Sequence, residues 1–160
     1  LKKGASILVH PVKNPSRFGV ITLKKNKIIN LVEKPKNTKS NLAITGLYFF
    51  DNSVIKKTSS LKKSKRNELE IIDLLKIYKR ANSLKVEQLG RGAAWLDTGT
   101  IDDFNQTSVF VSSIEKRQGL KIACLEEIAF LKKWIDKKQI KKAISFYGNC
   151  EYSKYLKSLV

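Results

Sequence analysis

Residues Gly90–Thr100 read Gly-Arg-Gly-Ala-Ala-Trp-Leu-Asp-Thr-Gly-Thr, which combines three glycines with an arginine, a tryptophan and a carboxylate. The apolar run Ala93–Leu96 is typical of a strand end, and Asp97 follows it directly. Thr100 and Asp103 have the spacing of a capping box, which predicts a helix that begins immediately after Thr100. A carboxylate between a strand and a helix N-terminus is where α/β proteins hold phosphates and metal ions. An ordinary strand-to-helix turn with a buried tryptophan is the alternative interpretation.

The chain is predicted to be strand-rich before this stretch and helix-rich after it. Apolar, β-branched and aromatic runs predict strands at Ala5–Val12, Val20–Leu23, Ile28–Val32, Leu42–Phe50 and Leu84–Leu89. Helical spacing of apolar residues predicts helices at Val54–Thr58, Leu69–Ala81, Glu126–Lys133 and Tyr152–Leu159. Cap pairs predict further helix starts at Asn67 with Glu70 and at Asp136 with Gln139, and Gly119 is predicted to end the helix after Thr100.

Gly46 interrupts the most apolar of the predicted strands, Leu42–Phe50. A glycine inside a strand marks a bulge or a close approach by another group. A sugar or another stretch of backbone could therefore lie against Gly46, and simple core packing is the alternative.

The composition excludes a membrane-spanning protein and makes a nucleic-acid-binding protein a poor interpretation. No apolar run is long enough to cross a membrane, and no signal peptide is recognisable. The net charge is +18, but it comes from 27 lysines against 5 arginines, and the lysines are scattered along the whole chain. We therefore expect a solvated lysine surface and no nucleic-acid site. Cys124 and Cys150 are too few for a disulfide framework or a zinc site, which favours reduced thiols in the cytoplasm.

Six motifs, taken in order, resemble the C-terminal part of the glucose-1-phosphate thymidylyltransferases, which are sugar nucleotidyltransferases. The motifs are Pro15-Ser-Arg-Phe-Gly-Val20, Glu33-Lys-Pro35, Thr45-Gly-Leu-Tyr-Phe-Phe-Asp51, Glu68-Leu-Glu-Ile71, Arg91-Gly-Ala-Ala-Trp-Leu-Asp-Thr-Gly-Thr100, and Arg117-Gln-Gly-Leu-Lys-Ile-Ala123 with Glu126-Glu-Ile-Ala129. The resemblance implies an α/β fold, the C-terminal part of a Rossmann-like mixed sheet followed by C-terminal helices. It also implies one domain over residues 1–160, with a sugar-binding half at 1–115 and a helical segment at 116–160.

The implied reaction joins glucose 1-phosphate to dTTP, giving dTDP-glucose and pyrophosphate for dTDP-rhamnose and polysaccharide synthesis. By resemblance, Asp97 is one of two carboxylates that hold Mg²⁺, and no other catalytic residue is expected in this chain. Glu33 would bind sugar hydroxyls and Lys34 would lie near the sugar phosphate. The remaining substrate contacts implied by the family are made by Gly19, Gly46, Tyr48 and Trp95. A solvated lysine and a core tryptophan are the alternatives for Lys34 and Trp95.

The N-terminal half of the family carries Gly-x-Gly-Thr-Arg-Leu-x-Pro-x-Thr and a second metal aspartate, and neither occurs in this sequence. We therefore expect a fragment that is inactive alone, binds Mg²⁺ weakly and leaves a sheet edge exposed. A homo-oligomer is implied for the full-length family. Residues that differ from the family's usual ones are Phe18 for Tyr, Asn67 for Gly, Ile72 for Thr, Leu125 for Pro and Leu131 for Arg. The last of these weakens the prediction of a regulatory nucleotide site.

Two further interpretations remain, the first of a different class and the second within the transferase class. One is a non-catalytic sugar-phosphate-binding or assembly module that works with a partner chain. The other is a nucleotidyltransferase of different base specificity, because base recognition in this family lies outside the motifs present here.

Overall fold

The computed structural model describes residues 3–160, which form two compact units. The first unit extends to Trp95 and the second is Leu96–Val160. The sheet and two helices lie in the first unit, and four helices lie in the second. The sequence-based division at residue 115 separates a sugar-binding half from a helical segment, and this functional division stays a prediction.

A five-stranded sheet forms the first unit. Its strands are β1 Ala5–Pro11, β2 Gly19–Lys24, β3 Lys27–Glu33, β4 Leu42–Phe50 and β5 Leu84–Gln88, in the spatial order β3-β2-β4-β1-β5. A short 3₁₀ turn at Pro15–Arg17 leads into β2. All neighbouring pairs are antiparallel except β1 with β5, so the sheet is mixed. The predicted α/β class with a mixed sheet is confirmed.

Two helices, α1 Val54–Thr58 and α2 Ile71–Arg80, belong to the same unit. Helix α2 buries an apolar stripe against one face of the sheet, and the stripe consists of Ile72, Leu74, Leu75 and Tyr78. Ile72 and Leu75 pack into a core with side chains from β1 to β4, such as Ile7 and Ile21. Helical periodicity predicts a core-facing stripe of Ile71, Leu74, Leu75 and Tyr78. The last three are buried as predicted, whereas Ile71 is only partly buried and Ile72 is buried in addition. The helix begins two residues later than expected.

Gly46 lies in a bulge of β4. The pairing with β1 shifts register between Ile7, opposite Tyr48, and Val9, opposite Ile44. Two additional residues of β4 are accommodated there, and Gly46 has φ of 82°, in the left-handed region that favours glycine. A Cβ built on Gly46 would meet no atom within 4 Å. The predicted bulge is confirmed, and it is the backbone conformation that requires glycine here, since no neighbouring group crowds the position.

The predicted cap at Asn67 is wrong. Asn67 has φ of 62° and its backbone N–H donates to the Ser64 carbonyl, so it closes a turn before the helix. Glu70 is the residue that precedes the first turn of α2. Asparagine is one of the few non-glycine residues that adopt the left-handed conformation readily, which explains why it can occupy a position where the family commonly has glycine.

The second unit contains α3 Ile101–Gln118, α4 Leu125–Leu131, α5 Lys137–Tyr147 and α6 Glu151–Lys157. Thr100 accepts the backbone N–H of Asp103 through its hydroxyl, and Gly119 ends α3 with φ of 70°, as the sequence predicts. Asp136 and Gln139 form the reciprocal bonds of a capping box at the start of α5. Cys124, Ile140 and Leu156 form the core of this unit.

Residues 93–96 do not form a strand. This segment is irregular, with a turn at Gly90, whose carbonyl accepts the Ala93 N–H. The strand predicted before Asp97 is therefore wrong, and the parallel strand β5 ends earlier, at Gln88. Within residues 3–160, the helices are all too short or too polar to cross a membrane.

Candidate functional site

Gly19 and Glu33 face each other across the antiparallel pair β2–β3. A Cβ built on Gly19 would lie 3.2 Å from a carboxylate oxygen of Glu33 and 2.9 Å from Cδ1 of Ile72. Both distances are shorter than ordinary contacts of a side chain. The absence of a side chain at Gly19 therefore leaves room for the Glu33 carboxylate at the end of the two strands.

The Glu33 carboxyl has a pKa above its ordinary value. Partial burial is the main cause, and the negative charge of Glu70 adds to it. The positive charges of Lys34 and Arg66 act in the opposite direction and favour the ionised form. A half-buried carboxylate with cations beside it can accept hydrogen bonds from hydroxyl groups while the cations attract an anion.

Lys34 begins the loop after β3 in the left-handed conformation, with φ of 40°. Its backbone N–H donates to the Phe18 carbonyl at 3.0 Å, which holds this turn against the start of β2. The Lys34 side chain is exposed and Pro35 is buried. The backbone of the Glu33-Lys-Pro35 motif is thus fixed, while the lysine ammonium can reach a ligand in solvent.

Arg66 lies beside Glu33, and this residue was missed at the sequence level. Its guanidinium forms an ion pair with Glu70 at 3.1 Å, and it also contacts the Glu68 carboxylate. The Ser64 hydroxyl donates to Glu70 at 2.8 Å and so fixes the same loop. The loop and β3 enclose a cleft of about 410 Å³. The only sequence signal for this arrangement is the polar turn that precedes the Glu68-Leu-Glu-Ile71 motif.

Tyr48 is part of the same electrostatic environment. Burial raises the pKa of its phenol, and the negative charge of Glu33 raises it further. The ring stacks on Phe50 with centroids 6.1 Å apart. The phenol therefore stays neutral at physiological pH and can donate a hydrogen bond to a ligand oxygen.

Trp95 is anchored to the bulge of β4. Its indole N–H donates to the Thr45 carbonyl at 3.2 Å, next to Gly46. The ring packs edge-on against Phe18 at 5.0 Å between centroids and against His10 at 6.4 Å. The half-buried tryptophan is thus held by the sheet, and its indole N–H already donates to the backbone carbonyl of Thr45.

Asp97 belongs to the second unit, in the loop before α3. A Cβ built on Gly99 would lie 3.1 Å from a carboxylate oxygen of Asp97, so the glycine leaves space for this carboxylate. Oxygen donors are what Mg²⁺ prefers, and one carboxylate with phosphates and waters is a usual protein contribution. The carboxylate of Asp97 therefore has the donor chemistry that suits Mg²⁺. Among the residues that the structure describes, no three or more His, Cys, Asp or Glu side chains could together hold a metal ion.

Five of the six residues predicted for substrate binding fall into two groups within the first unit, and the sixth, Tyr48, is close enough to Glu33 for that charge to raise the pKa of its phenol. Gly19, Glu33 and Lys34 meet at the ends of β2 and β3, where Arg66 joins them. Gly46 and Trp95 meet at the bulge of β4.

Comparisons with known proteins show what the chain is similar to as a whole. The model of the nucleotidyl transferase family matches residues 1–114. The glucose-1-phosphate thymidylyltransferase of Neisseria meningitidis is 42% identical over 158 residues, which cover 98% of this chain and 55% of that protein. The enzyme of the same name from Mycolicibacterium smegmatis is 45% identical over the same shares. The chain spans about half the length of the curated relatives that it matches.

Solved structures give the same result for the fold. A putative glucose-1-phosphate thymidylyltransferase from Bacillus anthracis, solved with a sucrose, superposes with a TM-score of 0.62 and 37% identity, covering 68% of this chain and 44% of that one. A UDP-glucose pyrophosphorylase solved with UDP-glucose has a TM-score of 0.59 at 24% identity, and this likeness supports the fold alone. With the family match over most of its length, this chain belongs to the nucleotidyl transferase family.

Proposed function

We propose that this chain provides the sugar-phosphate-binding part of a glucose-1-phosphate thymidylyltransferase. In the complete enzyme, glucose 1-phosphate would attack the α-phosphate of dTTP, and pyrophosphate would leave. The observation that carries the proposal is the cleft at the ends of β2 and β3, where Gly19 makes room for Glu33 and Arg66 lies alongside. The names of the relatives support the choice of sugar phosphate and nucleotide.

Each residue of the two groups, together with Tyr48, has a distinct role in this proposal. The Glu33 carboxylate accepts hydrogen bonds from sugar hydroxyls, and the Tyr48 phenol donates one. Lys34 and Arg66 neutralise the sugar phosphate, and their positive charges hold it in line with the nucleotide. Trp95 fixes the bulge at Gly46, so that the backbone there offers a constant surface to the hexose.

Phosphoryl-group chemistry of this kind needs positioning and charge neutralisation more than a nucleophilic side chain. Mg²⁺, when bound, would supply charge neutralisation at the phosphates. Asp97 would be its ligand from this chain, consistent with the space that Gly99 leaves beside the carboxylate.

We further propose that the isolated chain does not turn over. The glycine-rich sequence that cradles the triphosphate in the family is absent from these 160 residues. The complete enzyme would be a homo-oligomer that works in the cytoplasm and supplies dTDP-glucose for dTDP-rhamnose and polysaccharide synthesis. These statements rest on the family resemblance.

Two measurements test the proposal. Titration of the chain into glucose 1-phosphate, followed by ³¹P NMR, should show binding that Glu33→Gln and Arg66→Gln each weaken at least tenfold, by loss of charge-assisted bonds. Lys24→Gln, on the exposed β2–β3 hairpin, is the matched control and should bind as the unaltered chain does.

The second measurement is reconstitution. Co-expression with the N-terminal half of the Neisseria meningitidis relative, followed by incubation with dTTP, glucose 1-phosphate and Mg²⁺, should yield dTDP-glucose, and Asp97→Asn should abolish it. Product from the isolated chain would contradict the proposed division of the site. Sugar-phosphate binding without product in any combination would favour the second candidate, a non-catalytic binding or assembly module. Product with UTP or CTP in place of dTTP would identify a transferase of other base specificity.

A further inference from the structure

The Glu68-Leu-Glu-Ile71 motif lies in and just after the loop before α2, and the second of its two glutamates, Glu70, is nearly buried. The Glu70 side chain is 11% exposed, against 59% for that of Glu68. Glu70 directly precedes the first turn of α2, yet its side chain makes no capping bond to the helix. A nearly buried carboxylate needs partners that compensate for its lost hydration. The partners of Glu70 therefore indicate the role of this residue.

Glu70 holds the guanidinium of Arg66 along one edge. One carboxylate oxygen lies 3.1 Å from Nε of Arg66, and the other accepts a hydrogen bond from Nη2 at 3.4 Å. Glu68 accepts a second bond from Nη2. Within the described part of the chain, the third guanidinium nitrogen, Nη1, forms no bond with a carboxylate. The two N–H donors of Nη1 can therefore bind an anion.

A network centred on Ser64 fixes Glu70 and Arg66 relative to each other. The Ser64 hydroxyl donates at 2.8 Å to the Glu70 oxygen that binds Nε, and it accepts the backbone N–H of Arg66 at 3.1 Å. The backbone of Ser64 is also bound twice, since its N–H donates to the Glu68 carbonyl at 2.8 Å and its carbonyl accepts from Asn67 at 2.9 Å. The Arg66 side chain is thus oriented by contacts within its own loop.

We propose that Glu70 is a positioning residue, which orients Arg66 so that its Nη1 donors are presented to the sugar phosphate. The inference rests on the proposed binding of glucose 1-phosphate in the cleft that Glu33, Arg66 and Glu70 line. A long arginine side chain loses rotamer freedom when it binds an anion, and orientation in advance removes this cost. Glu70 acts through Arg66 and does not itself bind the phosphate, because two anions repel each other.

Two other roles for Glu70 predict different results. If Glu70 competed with the phosphate for Arg66, its removal would strengthen phosphate binding. If Glu70 only supported the fold, its removal would change stability and leave binding by the folded chain unchanged. Loss of a negative charge beside an anion site also strengthens binding by simple electrostatics. Of the three roles, positioning is the one that predicts weaker binding by the folded chain after loss of Glu70.

Nuclear magnetic resonance of the Arg66 Nε–H tests the positioning without a ligand. In the full 160-residue chain, the Nε–H that is bound to Glu70 should exchange slowly with water. Glu70→Gln should raise its exchange rate about tenfold, as expected for loss of a charged hydrogen-bond acceptor. Glu87→Gln, which removes an exposed carboxylate from β5, is the matched control and should leave the rate unchanged. Equal exchange in the unaltered chain and in folded Glu70→Gln would overturn the inference, whatever the chain binds.

Calorimetric titration with glucose 1-phosphate tests the consequence for binding. Glu70→Gln should weaken binding about fivefold, the cost of ordering one long side chain. Ser64→Ala removes the hydroxyl that supports Glu70 and should weaken binding by a smaller factor, which keeps the test decisive if Glu70→Gln does not fold. In an Arg66→Gln background, Glu70→Gln should cause no further loss, because there is no guanidinium to orient. Glu87→Gln should bind as the unaltered chain does.

Circular dichroism verifies that each variant is folded. Stronger binding by Glu70→Gln would overturn the inference in favour of competition, and unchanged binding would overturn it in favour of a purely structural role. A full loss that persists in the Arg66→Gln background would also overturn it, since Glu70 would then act without Arg66. Failure of the unaltered chain to bind glucose 1-phosphate would overturn the proposed function and this inference together. Binding that Glu33→Gln and Arg66→Gln weaken, but Glu70→Gln does not, would overturn the inference alone.

Discussion

The indole N–H of Trp95 donates a 3.2 Å hydrogen bond to the carbonyl of Thr45, which lies fifty residues earlier in the bulge of β4. The bond joins the Arg91–Thr100 motif to the Thr45–Asp51 motif. A tryptophan that holds the bulge can act on sugar binding through the backbone at Gly46, in addition to any contact of its own.

Trp95→Phe removes this bond and keeps an aromatic ring against Phe18. We expect the change to destabilise the first unit by about 1 kcal/mol, the usual net contribution of one hydrogen bond, and to weaken binding of glucose 1-phosphate. Thermal unfolding followed by near-ultraviolet circular dichroism measures the first effect. Trp134→Phe removes an exposed tryptophan and should leave the midpoint unchanged; an equal loss in both variants would show that the bond at Thr45 has no special role.

The sequence predicts the regular elements well because their signals are local. The bounds of β4 and α1 match the prediction, since an apolar, aromatic and β-branched run defines β4 and the polar pair Asp51-Asn52 separates it from α1. The cap at Thr100 follows from a three-residue spacing in the same way. The family resemblance then supplies Glu33 and Lys34, but it does not describe what surrounds them.

The features that the sequence does not predict all depend on long-range contacts or on backbone conformation. Arg66 reaches Glu33 only because the loop before α2 folds beside β3, thirty-three positions away in the chain. Asn67 has the right spacing for a cap, yet its backbone is left-handed and it closes a turn. The partner of Trp95 is equally distant in sequence. Such contacts are fixed by tertiary packing, which residue spacing cannot reveal.

Gly46 and Gly19 should differ in how they tolerate substitution. Gly46 has φ of 82° with open space at its Cβ position, so Gly46→Ala costs about 1 to 2 kcal/mol through backbone conformation alone. Gly46→Asn should cost less, because asparagine adopts left-handed conformations more readily. Chemical denaturation of the two variants measures the difference. An alanine more stable than the asparagine would contradict the conformational argument.

Gly19→Ala should instead destabilise the fold through a steric clash, since the new Cβ would lie 2.9 Å from Cδ1 of Ile72. We expect a loss of about 1 to 3 kcal/mol, as for other overpacked sites. Ile72→Val deletes the Cδ1 methyl, so the double variant should recover part of the loss. The coupling energy from a double-mutant cycle is the measured quantity. Strict additivity of the two changes would show that the clash is relieved by another movement.

Sugar-phosphate binding should weaken in mild acid because of Glu33. Its raised pKa means that protonation begins at higher pH than for an exposed glutamate, and a protonated carboxyl accepts hydroxyl hydrogen bonds poorly. Arg66→Gln removes a charge that favours the carboxylate, so the midpoint should move to still higher pH. Calorimetric titration with glucose 1-phosphate between pH 4 and 8, about the range that covers such shifts, measures the midpoint. Lys24→Gln, on the exposed β2–β3 hairpin, is the control.

The same raised pKa has a consequence for stability. Glu33 binds its proton more tightly in the folded chain than in the unfolded chain. In acid, this residue therefore stabilises the folded state, and the stabilisation is lost as pH rises through the raised pKa. Glu33→Gln should therefore bind the sugar phosphate poorly and yet be at least as stable as the unaltered chain near neutral pH. A marked loss of stability in Glu33→Gln near neutral pH would contradict burial of the carboxylate as the cause of the raised pKa.

Asp51 should behave in the opposite way, because its bonds favour the ionised form. The Ser53 hydroxyl and backbone N–H both donate to its carboxylate, as do the Gly4 N–H at 2.6 Å and the Tyr78 hydroxyl at 3.1 Å. These bonds, of which that from the Ser53 side chain has the largest effect, lower the pKa of Asp51 to about 2. The stabilisation is fully present above the ordinary value of 3.8 and is lost as pH falls toward about 2.

Asp51→Asn should therefore destabilise the first unit at neutral pH, because the amide cannot accept these bonds as a carboxylate does. The difference between the two proteins should shrink as the pH is lowered below about 3.8, where the unfolded aspartate takes up its proton. Thermal midpoints measured from neutral pH into acid give both curves. Glu87→Gln removes an exposed carboxylate from β5 of the same sheet and should show no such convergence. If the difference in thermal midpoint between Asp51→Asn and the unaltered chain were constant across the pH range, the charge of the carboxylate would not be the cause. The stabilisation at the end of β4 would then come from the size and hydrogen-bonding geometry of the side chain alone.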